Sequence, residues 1–156
     1  MKRVVAAVIE RPDRRILIGQ RRREDTSPLK WEFPGGKVRE GESPEAALDR
    51  EILEELRIRV VQRVAIGSVR HRYAQSDDEL SVVFYAARPD SYDITPQVFE
   101  QVAWALPKEL GSYDFLTANQ AIVAELATGR IKPMEILEME KASSQNEKGQ
   151  SRSTTP

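Results

Sequence analysis

An unbroken apolar run occupies residues 4–9, and a second, Ile16-Leu17-Ile18, follows the turn signal Pro12-Asp13. The first run reads as a buried strand, and the two together predict a hairpin. Trp31-Glu32-Phe33 is a short extended piece stopped by Pro34-Gly35-Gly36. Residues 60–73 and 80–87 read as longer strands around the turn Gln75-Ser76-Asp77-Asp78, and residues 101–106 as another. One helix is marked by Ser43 as N-cap, Pro44 at the first helical position and Glu45 in the first turn, and runs to about Leu56. A second starts at Thr117, with Gln120 completing a capping-box pattern and Gly129 as the residue past its end. Residues 134–141 predict a short amphipathic helix. Residues 143–156 contain no apolar side chain, and such a stretch cannot bury enough surface to offset its ordering entropy. The pattern predicts one mixed α/β domain over residues 1–132 and an extension over 133–156, largely disordered from residue 142.

Composition narrows the chemistry. The 156 residues include no cysteine and a single histidine, His71, against 25 acidic and 24 basic residues. A disulfide framework, a thiolate zinc site, an iron–sulfur cluster and a cysteine nucleophile are excluded. Any metal must be held mainly by oxygen, which suits Mg²⁺ or Mn²⁺ rather than zinc or copper. The net charge of −1 gives no polyelectrolyte signal, so neither a nucleic-acid polymer nor an anionic membrane is an expected partner. Met1-Lys2-Arg3 followed by residues 4–9 is too short and too soon charged for a signal peptide. No run is apolar enough to span a bilayer. A cytoplasmic monomer is the default expectation.

The acids are not evenly spread. Seven of the 25 fall between residues 40 and 55, and three of the eight glycines between 35 and 41. Glycine lets the backbone turn sharply and bring carbonyl oxygens close to an ion. On a helical wheel, Glu51, Glu54 and Glu55 share an arc of roughly 100°, beside a core stripe of Leu48, Ile52 and Leu56. Three like charges this close repel one another, and bound divalent cations would remove that penalty. A solvated acidic face with salt bridges to Arg50, Arg57 and Lys37 is the alternative for such a cluster taken alone.

The wider spacing resembles the Nudix box, G-x5-E-x7-R-E-U-x-E-E-x-G-U, in which U is a bulky aliphatic. Gly36, Glu42, Arg50-Glu51, Ile52, Glu54-Glu55 and Ile58 stand at the corresponding positions, and Arg57 replaces the late glycine. Arginine there is compatible with the helix dipole. The resemblance implies an α/β/α sandwich with a mixed β-sheet, the box forming a loop–helix–loop. It implies a Mg²⁺-dependent hydrolase (Mn²⁺ as a substitute) of nucleoside diphosphates linked to another moiety. Glu51, Glu54 and Glu55 with a carbonyl of the Gly35-Gly36 turn are then the metal ligands, and Glu51 the general base or the group orienting the attacking water. Arg50 pairs with Glu42 or another box carboxylate, and Glu100 is a candidate further ligand from a later loop.

Within the family the chain looks most like MutT-type 8-oxo-dGTP diphosphatases, through residues 4–9, Gln20-Arg21-Arg22, Trp31 to Lys37 and Leu116-Thr117-Ala118-Asn119. That resemblance implies that Asn119 reads the oxidised base and that Arg22 and Lys37 bind the nucleotide. Oxidation turns guanine N7 from an acceptor into a donor, and an amide offers both an acceptor and donors to match it. CTP, modified pyrimidine triphosphates and ADP-ribose are the alternative substrates. A non-catalytic nucleotide sensor is a third possibility, opposed by the presence of all three helix glutamates. His71 reads as structural, and Trp31 and Phe33 as core.

Overall fold

The computed structural model describes residues 1–72 and 78–153, with side chains as far as residue 146. Seven strands, β1 (Lys2–Val8), β2 (Ile16–Gln20), β3 (Trp31–Glu32), β4 (Gly35–Lys37), β5 (Val60–Arg72), β6 (Glu79–Pro89) and β7 (Gln101–Ala105), combine with three helices. These are α1 (Pro44–Leu56), α2 (Gln120–Ala127) and α3 (Pro133–Ser153), and 3₁₀ turns occupy Pro107–Ser112 and Thr117–Asn119. One sheet has the order β4-β1-β6-β5 and the other β3-β2-β7. Only β1 and β6 run parallel, so the first sheet is mixed.

The apolar run of β1 has a structural cause, because both of its faces are covered. Ala6 and Val8 pack with Ile122, Val123 and Leu126 of α2. Val5, Ala7 and Ile9 pack with Ala47, Leu48, Ile52 and Leu56 of α1. Helices therefore lie on opposite sides of the strands, which gives the α/β/α sandwich.

Several expectations are corrected. β1 and β2 do not form a hairpin ladder. The two arms are joined near the turn alone, by Leu17 N–H to Ile9 O (3.0 Å), the Glu10–Ile16 bridge and Arg11 N–H to Arg15 O (2.8 Å), and β2 passes into the second sheet. Both edges of β1 are already taken, by β4 and by β6. Gly35 and Gly36 do not stop a strand but form β4, with Gly36 opposite Val5 and Gly35 opposite Ala6. Thr117 is not a side-chain cap: a 3₁₀ turn precedes α2, and Asn119 turns its side chain elsewhere. Gly129 does follow α2 in the left-handed region, at φ +77°. The turn predicted at 75–78 lies outside the described residues apart from Asp78.

The extension also departs from expectation, since α3 continues without a break to Ser153. Its start is docked: Leu137 is buried, Met134 N–H donates to Glu10 Oε1 (2.9 Å) and Gln62 Nε2 donates to Leu137 O (2.7 Å). Residues 141–146 are all exposed. Composition rules out a packed core there, and no proline interrupts the helix before Ser153.

Candidate active site

The site is built from the start of α1 and the strand before it. Ser43 Oγ accepts the Ala46 N–H (3.1 Å) and sets the first turn. About two helical turns later, Arg50 forms a hub. It donates twice to Glu42, through Nε (2.8 Å) and Nη2 (2.9 Å). Its Nη1 donates to Glu51 Oε1 (2.8 Å) and reaches Glu54 Oε2 (3.4 Å), while Nη2 also donates to Lys37 O (3.0 Å). Hydrogen bonds from Arg50, and then the N–H of Arg39, hold Glu42 down at about 2. Arg50 thus ties the loop after β4 to the helix.

The three glutamates differ in setting. The carboxylate of Glu51 fills the space where a side chain at residue 36 would begin. Gly36 is therefore required by Glu51 rather than by a turn. Glu55 accepts the Gly35 N–H (3.2 Å), and burial, with the charges of Glu51 and Glu32, pushes its carboxyl up to about 9. Glu54 is half exposed, with only long contacts to Arg50 and to Arg39 (4.0 Å).

The carbonyls at the end of α1 are also met. Gln97 N–H donates to Glu55 O and Thr95 N–H to Leu56 O, both at 2.9 Å. Arg57 ends the helix at φ +60°, in the left-handed region where the family pattern has glycine. Arg57→Gly is expected to stabilise the protein by about 0.5–1 kcal/mol, the relief of left-handed strain less the added chain entropy of glycine. A thermal melt checks this, with Tm rising by roughly 2 °C.

A cleft of about 550 Å³ opens beside the glycine strand. Its floor is Val4 and Ala6 of β1 with Leu80 and Val82 of β6, and Phe33, Phe99 and Leu116 wall it. Gly36, Lys37, Glu55, Arg22 and Asn119 all line it, so five expected site residues from four separate segments meet. Asn119, only 6% exposed, accepts the Phe33 N–H through Oδ1 (3.3 Å). Arg22 donates to Gln97 O (2.9 Å) and so ties its loop to the segment that covers the end of α1. Glu51, Arg50 and Glu54 stand behind the cleft on α1 and do not line it. Glu100, like Glu51 and Glu54, does not line the cleft, and its carboxylate pairs with Arg23 (3.6 Å).

Glu32 is the residue that sequence reasoning missed. It lines the cleft, burial raises its carboxyl against the opposing effect of Arg21, and its charge helps to raise Glu55. Its polar position between buried Trp31 and Phe33 was the available signal. Trp31 and Phe33 are core, as expected.

Among the described residues, no three acidic side chains converge as a ready-made chelate. The donor set nevertheless fits a hard divalent cation: it is all oxygen, it is carried on one arc of one helix, and burial together with the charges of Glu51 and Glu32 raises the Glu55 carboxyl, a penalty that a bound cation would relieve. Arg50 supplies opposite charge to Glu51 but makes no contact with Glu55.

A carboxylate-bearing helix locked to a glycine strand, on this sandwich, defines a Nudix hydrolase. The sequence profile of the NUDIX domain matches residues 1–134, and the chain belongs to that family. It is 43% identical over 121 residues to the CTP pyrophosphohydrolase of Escherichia coli (strain K12), covering 76% of this chain and 86% of that protein. It is 37% identical over 78 residues to the 8-oxo-dGTP diphosphatase of Proteus vulgaris, covering 50% of this chain and 70% of that one. A solved structure from work on MutT of Aliivibrio salmonicida and Vibrio cholerae superposes with a TM-score of 0.67 at 31% identity, over 82% of this chain and 98% of that one. Nudix hydrolases typically use a divalent metal and act on nucleotides. Among the described residues, no helix is long and apolar enough to cross a membrane.

Proposed function

We propose that the protein is a cytoplasmic, Mg²⁺-dependent nucleoside triphosphate pyrophosphohydrolase, with Mn²⁺ as a substitute ion. In this reading it removes oxidised purine nucleotides, converting 8-oxo-dGTP to 8-oxo-dGMP and pyrophosphate. Residues 1–132 carry the activity.

The carrying observation is the bond between Phe33 N–H and Asn119 Oδ1 in the cleft wall. Without a base, this donor and acceptor satisfy each other. An entering base can exchange with both if its edge shows an acceptor beside a donor. The Hoogsteen edge of 8-oxoguanine does so, with O6 for Phe33 N–H and N7–H for Asn119 Oδ1. Unmodified guanine puts an acceptor at N7 and leaves an unmatched pair, at a cost of about 1–3 kcal/mol.

Lys37 and Arg22, which line the same cleft, meet the phosphates in this reading. Glu51, Glu54 and Glu55, with the Gly36 carbonyl, would hold the divalent ion. When bound, such an ion neutralises phosphate charge and acidifies water. Glu51 takes the proton of the attacking water, and its link to Arg50 fixes the orientation of its carboxylate.

Asn119→Ala is expected to cut the preference for 8-oxo-dGTP over dGTP by roughly 5- to 150-fold in kcat/KM. An unchanged ratio in a folded variant overturns the base-reading role. Cytosine supports a second reading, because N3 and N4–H offer the same acceptor–donor pair, and a relative 43% identical is named for CTP. Pyrophosphate release from 8-oxo-dGTP, dGTP, CTP and modified pyrimidine triphosphates at equal concentration decides between them.

Metal binding should depend on pH. Glu55 carries a proton up to about 9, so an ion that binds its carboxylate must displace that proton. Mg²⁺ affinity is expected to rise up to about tenfold per pH unit from pH 6 to 8. The sign for metal-free stability is opposite. A carboxyl raised above its unfolded value favours the folded state at low pH, and that contribution is lost as pH rises toward 9. Melts of chelator-treated protein should therefore show Tm falling over that range, and saturating Mg²⁺ should remove the fall.

A further inference from the structure

The end of β1 away from the cleft carries another concavity. A hollow of about 370 Å³ lies between the turn that follows β1, the segment after β7 and the stretch joining α2 to α3. An adjoining hollow of about 500 Å³ extends toward Tyr92 and Arg88 and shares Glu10, Arg14 and Lys132 with the first. Neither has a residue in common with the catalytic cleft, and along β1 the two sites stand roughly 20 Å apart.

Three features of the groove define a ligand. Its floor is apolar, with Leu106, Leu126 and Ile131 suited to the face of a flat ring. Its interior holds a carboxylate. Glu10 is 8% exposed, its Oε1 accepts the Met134 N–H, and no side chain or backbone donor meets Oε2 among the described residues. Glu10 lines the hollow, and its Oε2, which is not sealed from solvent, can accept from a ligand's donor there. Its rim is cationic. Arg14 and Lys108 have no carboxylate within ion-pair distance among the described residues, and Lys132 has only Glu135, at 3.9 Å. These cations come from three different segments and converge on one opening.

Arg14 adds an independent observation. It stands at φ +71° in the turn after β1, where Arg14 N–H donates to Arg11 O and Arg11 N–H to Arg15 O. Glycine or asparagine serves that position at little cost, whereas a long β-carbon-bearing side chain is strained there. The strained residue lines both hollows.

An apolar ring face, a donor directed at a buried carboxylate and an anionic group at the rim belong together in one class of molecule. We propose that this groove is a second nucleotide site, taking a nucleoside monophosphate whose base carries an exocyclic amine. The amine donates to Glu10, the base lies on Leu106, Leu126 and Ile131, and the phosphate meets Arg14, Lys108 and Lys132. Glu135 and Glu138 border the adjoining hollow, so its charge balance suits a monophosphate better than a triphosphate. The inference does not depend on which nucleotide is hydrolysed.

The test is a titration of ¹⁵N-labelled protein with AMP, which has the amine and the monophosphate but no pyrophosphate linkage to cleave. Amide signals of Thr128, Gly129 and Lys132 report the groove, and those of Gly35 and Gly36 report the catalytic cleft. The groove signals should shift and saturate. Affinity read from them should fall at least about tenfold in Arg14→Ala/Lys108→Ala, with adenosine, and with purine riboside monophosphate, which lacks the amine. Lys108→Glu, a single change at an exposed position, should produce the same loss if the double variant folds poorly. Hydrolysis by these variants should match the unsubstituted enzyme. The proposal is overturned if AMP leaves the groove signals unmoved, if the variants bind AMP as well as the parent, or if inorganic phosphate alone reproduces the AMP shifts.

Discussion

Glu54→Gln is expected to lower kcat by about 10²- to 10⁴-fold while leaving Tm almost unchanged. The separation follows from how little Glu54 does for the fold. Its side chain is 51% exposed, and its contacts to Arg50 and Arg39 are long, at 3.4 and 4.0 Å. Surface pairs of this kind contribute about 0–1 kcal/mol. Glutamine keeps the shape and removes the charge, so a loss of activity reports the divalent ion and the phosphates rather than the scaffold. Glu51→Gln would be less clean, because Glu51 also holds Arg50 and sits against Gly36. Pyrophosphate release with Mg²⁺, on 8-oxo-dGTP and on CTP, measures the effect. Activity within about threefold of the parent, a difference of less than 1 kcal/mol in the barrier, would remove Glu54 from the site.

Gly35→Ala and Gly36→Ala should fail in different ways although the residues are adjacent. A methyl group at residue 35 would overlap the carbonyl of Val5 and the Cα of Ala6, both backbone atoms of a strand paired on its two edges. Neither can retreat without breaking the β1–β4 register. A loss of about 3 kcal/mol, or roughly 6–12 °C in Tm for a chain of this length, is expected. A methyl at residue 36 would instead meet the carboxylate of Glu51, the far end of a flexible side chain. That group can move at small cost to stability, but it then leaves the position Arg50 gives it. Gly36→Ala should therefore lower kcat with Tm close to the parent's. Calorimetry with a steady-state assay separates the two, and equal Tm losses would contradict the assignment of Gly36 to Glu51.

These predictions show where local reading reached and where it ended. The N-cap at Ser43, the span of α1 and the shared arc of Glu51, Glu54 and Glu55 were all legible, because residues within one helix are related by its own geometry. The buried run of β1 was legible for the same kind of reason. Gly35 and Gly36 were misread as a strand stop, since the atoms that demand glycine there belong to Val5 and Glu51, distant in sequence. Glu32 was missed, because whether a short strand's acid faces the cleft depends on which segments converge there.

The chemistry was readable from residue types alone: with no cysteine and one histidine, a phosphate-processing site had to be made of oxygen ligands, and the spacing from Gly36 to Ile58 named the family that makes it so. Which carboxylates are buried, which are held by Arg50, and the meeting of Asn119 with Phe33 across 86 residues of chain follow from packing of the whole fold. Spacing along a helix is set by bonds within it. Contacts across the cleft are set by the order of strands in two sheets, and that order follows from which faces and edges are left to bury once the whole chain is packed.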